Sequence, residues 1–175
     1  MFALSDRWIE YFFDVAQRTA RMSKDPSTQV GAVIVRPDKT IASTGFNGFP
    51  RGVPDYYDHY ERREHKYPRI IHAEANAILS SHEPVRGYKM FVTHCPCARC
   101  AGTIIQAGIE QVAYPEPSPE VEERWGDEFT IARSMFGHAG VYMHRLPAAV
   151  MPMSTPSEKS VRVWDDFACS LASLI

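Results

Sequence analysis

Between Ser5 and about Met22 the residues Trp8, Phe12, Val15, Ala16 and Thr19 recur every three or four positions, which predicts a helix with Ser5 and Asp6 at its start. KDPST breaks that period. QVGAVIVR and TIASTGFN, separated by Pro37-Asp38, read as two strands joined by a tight turn. Residues 47–69 are turn-rich and then charged. HAEANAILSSH regains helical spacing, with no breaker before Pro84. KMFVTH predicts a strand, CARCAGTIIQAG a helix closed by Gly108, and IEQVAY another strand. Ser118 followed by Pro119 and two acidic residues predicts a helix over 118–137, and VYMHRL a last strand. Beyond it, PAAVMPMSTPSEKS reads as a linker and VRVWDDFACSLASLI as a short terminal helix. Strands alternating with helices favour an α/β layer architecture.

The length of 175 residues suits one domain with a single core, and a 45% hydrophobic share with 23% charged residues is that of a globular chain. A formal net charge of −2 supplies no general cationic field for a polynucleotide, although a local pocket for a small phosphorylated ligand stays open. Asp6, Arg7 and Glu10 interrupt the opening stretch where a signal peptide needs an apolar run, and no run reaches membrane-spanning length. A mature cytoplasmic protein with no membrane partner is expected. Of the four cysteines, three crowd into 95–100 and the fourth is Cys169, a layout suited to metal or catalysis rather than a disulfide framework.

Two short motifs carry the candidate chemistry. His72-Ala73-Glu74 opens one expected helix and Pro96-Cys97-Ala98-Arg99-Cys100 opens the next. A helix N-terminus favours thiolate over thiol, and Cys97 and Cys100, three apart, share one face. With His72 they give three ligands for one tetrahedral zinc ion per chain and leave a fourth position for water. Glu74 is placed to carry protons to and from that water. Each motif alone is common; in this order they match the H-x-E…P-C-x-x-C pattern of zinc nucleobase deaminases.

From about Val15 to Leu146 the chain resembles cytidine-deaminase-like zinc enzymes, most closely the deoxycytidylate deaminases. Besides the zinc motifs, the resemblance rests on SKDPSTQVGAVIV (23–35), STGFNGFPRG (43–52), KYPRIIHAEANAIL (66–79) and CAGTIIQAGIEQVAY (100–114). It implies a three-layer α/β/α sandwich on a mixed five-stranded sheet whose first two strands form an antiparallel hairpin. It divides the chain into a deaminase domain over 1–146 and a linker and tail over 147–175. The reaction it implies is hydrolysis of dCMP to dUMP and ammonia, supplying dUMP for thymidylate synthesis, with Glu74 as the proton carrier.

The resemblance implies the sugar and amino-group contacts, and ligand chemistry adds candidates for the phosphate. Asn47, at the end of TGFNG, would touch the sugar; Ser23, Lys24 and Arg51 would serve the 5′-phosphate, a dianion that needs cationic or N–H donors. Ala73 lies between the histidine and the acid, and the carbonyl of Cys95 would receive the substrate's amino group, leaving the Cys95 thiol unligated. Without a cysteine before Cys95, no second, structural zinc is expected beside His59, His65 or His82. Family habit adds a homo-oligomer, dimer or hexamer, with dCTP and dTTP as candidate effectors, but SSHEP after the H-x-E helix lacks the aromatic and basic residues some regulated relatives carry. Three other readings compete: a different cytosine nucleotide such as dCTP or 5-substituted dCMP, a base in nucleic acid, and a zinc-stabilised binding module without turnover. Glu74 beside an open metal position disfavours the last.

Overall fold

The computed structural model describes residues 4–147, and these build the expected mixed sheet with helices on both faces. Strands β1 (Gly31–Val35) and β2 (Ile41–Phe46) form the antiparallel hairpin; β3 (Lys89–Val92), β4 (Gln111–Pro115) and β5 (Tyr142–Leu146) follow in the order β2-β1-β3-β4-β5. β1 is antiparallel to both its neighbours, whereas β3, β4 and β5 run parallel. All five residues of β1 are buried, as befits an apolar run covered on both faces. Val33, Val35, Phe91 and Ala113 face one layer; Ala32, Ile34, Met90, Val92 and Val112 face the other.

Helix α1 (Asp6–Ala20) covers the first face. Its buried stripe is Ile9, Phe12, Phe13, Ala16 and Ala20, turned by about one residue from the stripe the spacing suggests. Trp8 and Ile9 are adjacent apolar residues, and the sheet takes Ile9; Trp8 flanks the stripe and stacks on Phe12 with ring centroids 5.4 Å apart. The second face carries α4 (Ala73–Leu79), α5 (Ala98–Ala107) and α6 (Pro119–Ala139). α5 ends at Gly108 in the left-handed conformation, φ 79°. The Ser118 side chain accepts the Val121 N–H at the start of α6, which runs two residues past its expected end to Gly140.

Residues 47–69 hold two short helices, α2 (Tyr57–Glu61) and α3 (Arg63–Lys66), where only turns and charge were legible. Their sequence has no apolar period; tertiary anchors fold them, among them Tyr60, which stacks on Phe49 at 4.3 Å. Trp125 is part-exposed on α6, edge-on to Tyr67 at 6.4 Å. No described helix is long and apolar enough to cross a membrane. The expected linker, terminal helix and Cys169 lie outside the described residues.

One close approach sets the height of α4 above the sheet. A Cβ on Gly45 would sit 2.2 Å from the Ala77 nitrogen and 2.5 Å from the Ala73 oxygen, so β2 and α4 meet backbone to backbone. Ser43 Oγ donates to the Ala77 carbonyl at 2.8 Å, and Asn76 Nδ2 donates to the Phe46 carbonyl at 2.7 Å, pinning the same contact. Gly45→Ala is expected to destabilise the fold by about 3 kcal/mol, because the obstacle is backbone that cannot rotate away. Urea unfolding reads this as a lower midpoint at unchanged slope; an unmoved midpoint would mean that α4 has room to shift.

Candidate active site

Both zinc motifs sit where strands hand over to helices on the second face. His72 is the N-cap residue of α4 and Cys97 the N-cap residue of α5, each with extended backbone, and Cys100 lies in the first turn of α5. The donor atoms converge: His72 Nδ1 lies 3.6 Å from Cys97 Sγ and 3.4 Å from Cys100 Sγ, and all three lie within 4.8 Å of one another. A tetrahedral ion with Zn–S of about 2.3 Å and Zn–N of about 2.0–2.1 Å would hold such atoms about 3.5 Å apart. One imidazole and two thiolates therefore fit zinc in spacing and chemistry. Among the described residues no other group of three such side chains converges.

The electrostatics favour a cation between them. The Cys97 thiol is pushed down to about 3, chiefly by the hydrogen bond from Cys100 and also by His72, against the opposing effect of burial. Cys100, donating to that thiolate and buried beside Glu74, is pushed up. His72 is raised, first through its hydrogen bond with Cys97. A thiolate, a thiol and a basic imidazole thus share protons that a divalent ion displaces. The N-terminus of α5 adds its positive end to the side where the thiolates lie.

Glu74 belongs to the first turn of α4 and is 3% exposed. Burial raises its pKa above the ordinary carboxyl value, and the charge on His72 partly opposes this. Its carboxyl is within hydrogen-bond reach of Cys100, which places it at the edge of the ligand cluster rather than among the three donors. A buried acid beside an open metal position, with a pKa moved toward neutrality, is suited to taking and returning a proton.

The remaining residues singled out in the sequence fall in different places. Ala73 is fully buried between His72 and Glu74. Cys95 is buried, its thiol is raised to about 12 by burial, and it lies outside the ligand cluster. The Cys95 carbonyl lies 3.1 Å from His94 Nδ1, which must therefore carry the ring proton. Ser23 Oγ donates to the Asn47 carbonyl at 2.7 Å, so Ser23 braces the end of β2. Lys24 pairs with Asp55 at 2.9 Å on the surface, and Arg51 donates to Ser80 Oγ at 3.0 Å beyond the end of α4. At 1.5 Å per residue, Ser80 is about 9 Å along the helix from Glu74.

The Asn47 side chain makes three hydrogen bonds inside the protein. Its Oδ1 accepts the Val30 N–H at 2.7 Å, and its Nδ2 donates to the Thr28 carbonyl at 2.8 Å and to Asp25 Oδ2 at 3.4 Å. The next residue, Gly48, bridges in both directions to Ile71, the neighbour of His72. Asn47 is thus tied by backbone to the metal site.

The model of the cytidine and deoxycytidylate deaminase zinc-binding region matches residues 6–116. The chain belongs to this family. The deaminase is 45% identical over 145 residues to an Aliivibrio fischeri protein described as an uncharacterized deaminase in the luxG 3′ region, covering 83% of this chain and 97% of that one. It is 42% identical over 140 residues to the Homo sapiens deoxycytidylate deaminase, covering 77% of this chain and 76% of the human one. Among solved structures, the dCMP deaminase of cyanophage S-TIM5 in complex with dCMP and dUMP superposes with a TM-score of 0.65 at 25% identity, covering 82% of this chain and 99% of that one.

Several residues that shape the deaminase's site carry little sequence signal. Glu128 on α6 accepts the Ala98 N–H at 3.3 Å, engaging the N-terminus that presents both cysteines, yet its α6 position gives no hint of this. Asp25 and Lys66 meet across 41 residues. Only Asp25 had a local cue, because Asp-Pro-Ser marks a turn closed by the carboxylate. As for Cys95, Cys95→Ser is expected to keep one zinc per chain and kcat within about twofold, since the buried thiol is protonated and unligated. Metal analysis with a rate assay checks this, and loss of zinc would make Cys95 a ligand.

Proposed function

We propose that the deaminase hydrolyses dCMP to dUMP and ammonia. The observation that carries this reading is the His72, Cys97, Cys100 triangle with Glu74 buried at its edge: three ligands, one open position and one proton carrier. Support for the substrate comes from the human deoxycytidylate deaminase at 42% identity and from the phage enzyme whose structure holds dCMP and dUMP. A zinc ion held by these three residues would lower the pKa of bound water from 15.7 toward about 7 and so supply a nucleophile at neutral pH. Glu74 takes one proton from the water and delivers it to ring nitrogen 3 so that carbon 4 accepts attack, then takes the proton of the hydroxyl now on carbon 4 and passes it to the amino group, which departs as ammonia. The Cys95 carbonyl, at the turn into Pro96, accepts from that amino group.

Asn47 contacts the sugar. With both Nδ2 hydrogens engaged and one Oδ1 lone pair left, it offers an acceptor, so it would read a sugar hydroxyl as donor. Ser23, Lys24 and Arg51 remain the candidates for the phosphate, with Lys24 exchanging Asp55 for it. Residues 1–146 form the catalytic unit and 147–175 its tail. The clustered thiols fit a cytoplasmic setting, and exposed Leu79 and Ile131 fit burial between subunits of a homo-oligomer. SSHEP at 80–84 argues for little response to dCTP or dTTP.

The test is kcat/KM for dCMP against dCTP, deoxycytidine and 5-methyl-dCMP, with dCTP and dTTP added as effectors. The expected result is a preference for dCMP by at least about tenfold and a flat response to both effectors. A preference for another member of that panel would reassign the substrate.

A further inference from the structure

A buried ion pair joins the turn before β1 to α3. Asp25 is 1% exposed and Lys66 is 8% exposed, and Lys66 Nζ is 2.8 Å from the carboxylate. Lys66 also donates to Ser27 Oγ at 2.6 Å, while Asp25 Oδ1 accepts from the Ser27 nitrogen at 2.9 Å, Ser27 Oγ at 2.8 Å and the Thr28 nitrogen at 3.2 Å. Desolvation offsets most of the attraction in so buried a pair, so its presence is poorly explained by stability alone. What it fixes is the turn 25–28, and with it the Thr28 carbonyl that faces Asn47.

Asn47 has two ways to place its amide. The Val30 N–H can only donate and the Thr28 carbonyl can only accept, so together they select one, provided that Thr28 is held where it is. Asp25 holds it through the Ser27 and Thr28 N–H groups and takes the second Nδ2 hydrogen itself. Lys66 closes the arrangement by tying that carboxylate to α3, six residues before His72. We infer that Asp25 and Lys66 are positioning residues for the sugar subsite: they hold Asn47 as a pure acceptor aimed at a substrate hydroxyl, and so determine recognition of that hydroxyl without touching the reacting atoms. This rests on the reading of Asn47 as the sugar contact. In dCMP the 3′ hydroxyl is the only one on the sugar, which fixes the group concerned.

The test compares dCMP with 2′,3′-dideoxycytidine 5′-monophosphate, which lacks that hydroxyl, on the zinc-loaded full chain. Wild type should prefer dCMP by at least about tenfold in kcat/KM, because a site built to accept from a hydroxyl is left unsatisfied by the analogue. In Lys66→Met that preference should fall to about threefold or less, through a raised KM for dCMP, with zinc still one per chain and kcat for dCMP within about threefold of wild type. Lys66→Arg, which keeps a cation on Asp25, should restore most of the preference. The double variant Asp25→Asn/Lys66→Met, which leaves no unpaired buried charge, serves if Lys66→Met does not fold, and should show the same loss. A merely structural pair would lower the amount of folded enzyme for both substrates alike and leave the preference intact. Variants that discriminate as wild type does would overturn the role of Asp25 and Lys66. A wild type that turns over both nucleotides equally would remove the sugar reading of Asn47, and the positioning role with it.

Discussion

Glu74→Gln is expected to bind one zinc ion per chain, keep the wild-type fold, and lose about 10³-fold in kcat, within the range for removal of a positioned proton carrier. The reasoning starts from burial. Glu74 sits in the first turn of α4, 3% exposed, with a pKa raised by desolvation, beside but outside the three donors. Glutamine has nearly the same shape and can fill the same space, but it can neither accept the water's proton nor release one to ring nitrogen 3 or to the leaving amine. One residue serves three transfers, so the loss should fall on kcat rather than on KM. Zinc analysis, circular dichroism and steady-state kinetics on the same preparation check it. A variant with near-normal kcat would remove Glu74 from the mechanism.

Cys97→Ser and His72→Ala should behave differently, losing the metal as well as the activity. The Cys97 thiol, pushed down to about 3 by Cys100 and His72, is the group most ready to meet a cation, and a serine hydroxyl at that place stays protonated. With two donors left, the site no longer holds zinc against dialysis, and zinc should fall below about 0.1 per chain. Metal that binds the native state stabilises it by mass action, so chelation should lower the melting temperature of wild type. The same treatment should leave the Cys97→Ser melting temperature unmoved. A Cys97→Ser protein that keeps full zinc would mean that Cys95 or another side chain takes the vacant place. Paired with the expected retention of zinc in Cys95→Ser, this distinguishes the two neighbouring thiols.

What could be read from the sequence was the part written in local pattern. QVGAVIVR was legible as a strand, and Gly108 as the residue that closes α5, where the chain takes the left-handed conformation. The metal ligands were legible because an N-cap histidine and a C-x-x-C at the next N-cap are short-range features that survive without knowledge of the fold. Whatever depends on partners far along the chain was not legible. Trp8 and Ile9 are equally apolar, and only the sheet decides which is buried. α2 and α3 carry no period, since Asp25, Asp55 and Phe49 hold them from outside. The Asn47 amide could be named as a contact from the family resemblance, but that it both donates and accepts inward, leaving a single lone pair, required the Thr28 and Val30 backbone to be in place.

The most direct measurement is release of ammonia and dUMP from dCMP by the full chain, taken before chelation, after chelation, and after one equivalent of zinc is returned. The expected result is ammonia and dUMP in equal amounts, abolished by chelation and restored by zinc. Zinc-loaded, folded protein that releases neither product from dCMP would contradict the proposed reaction.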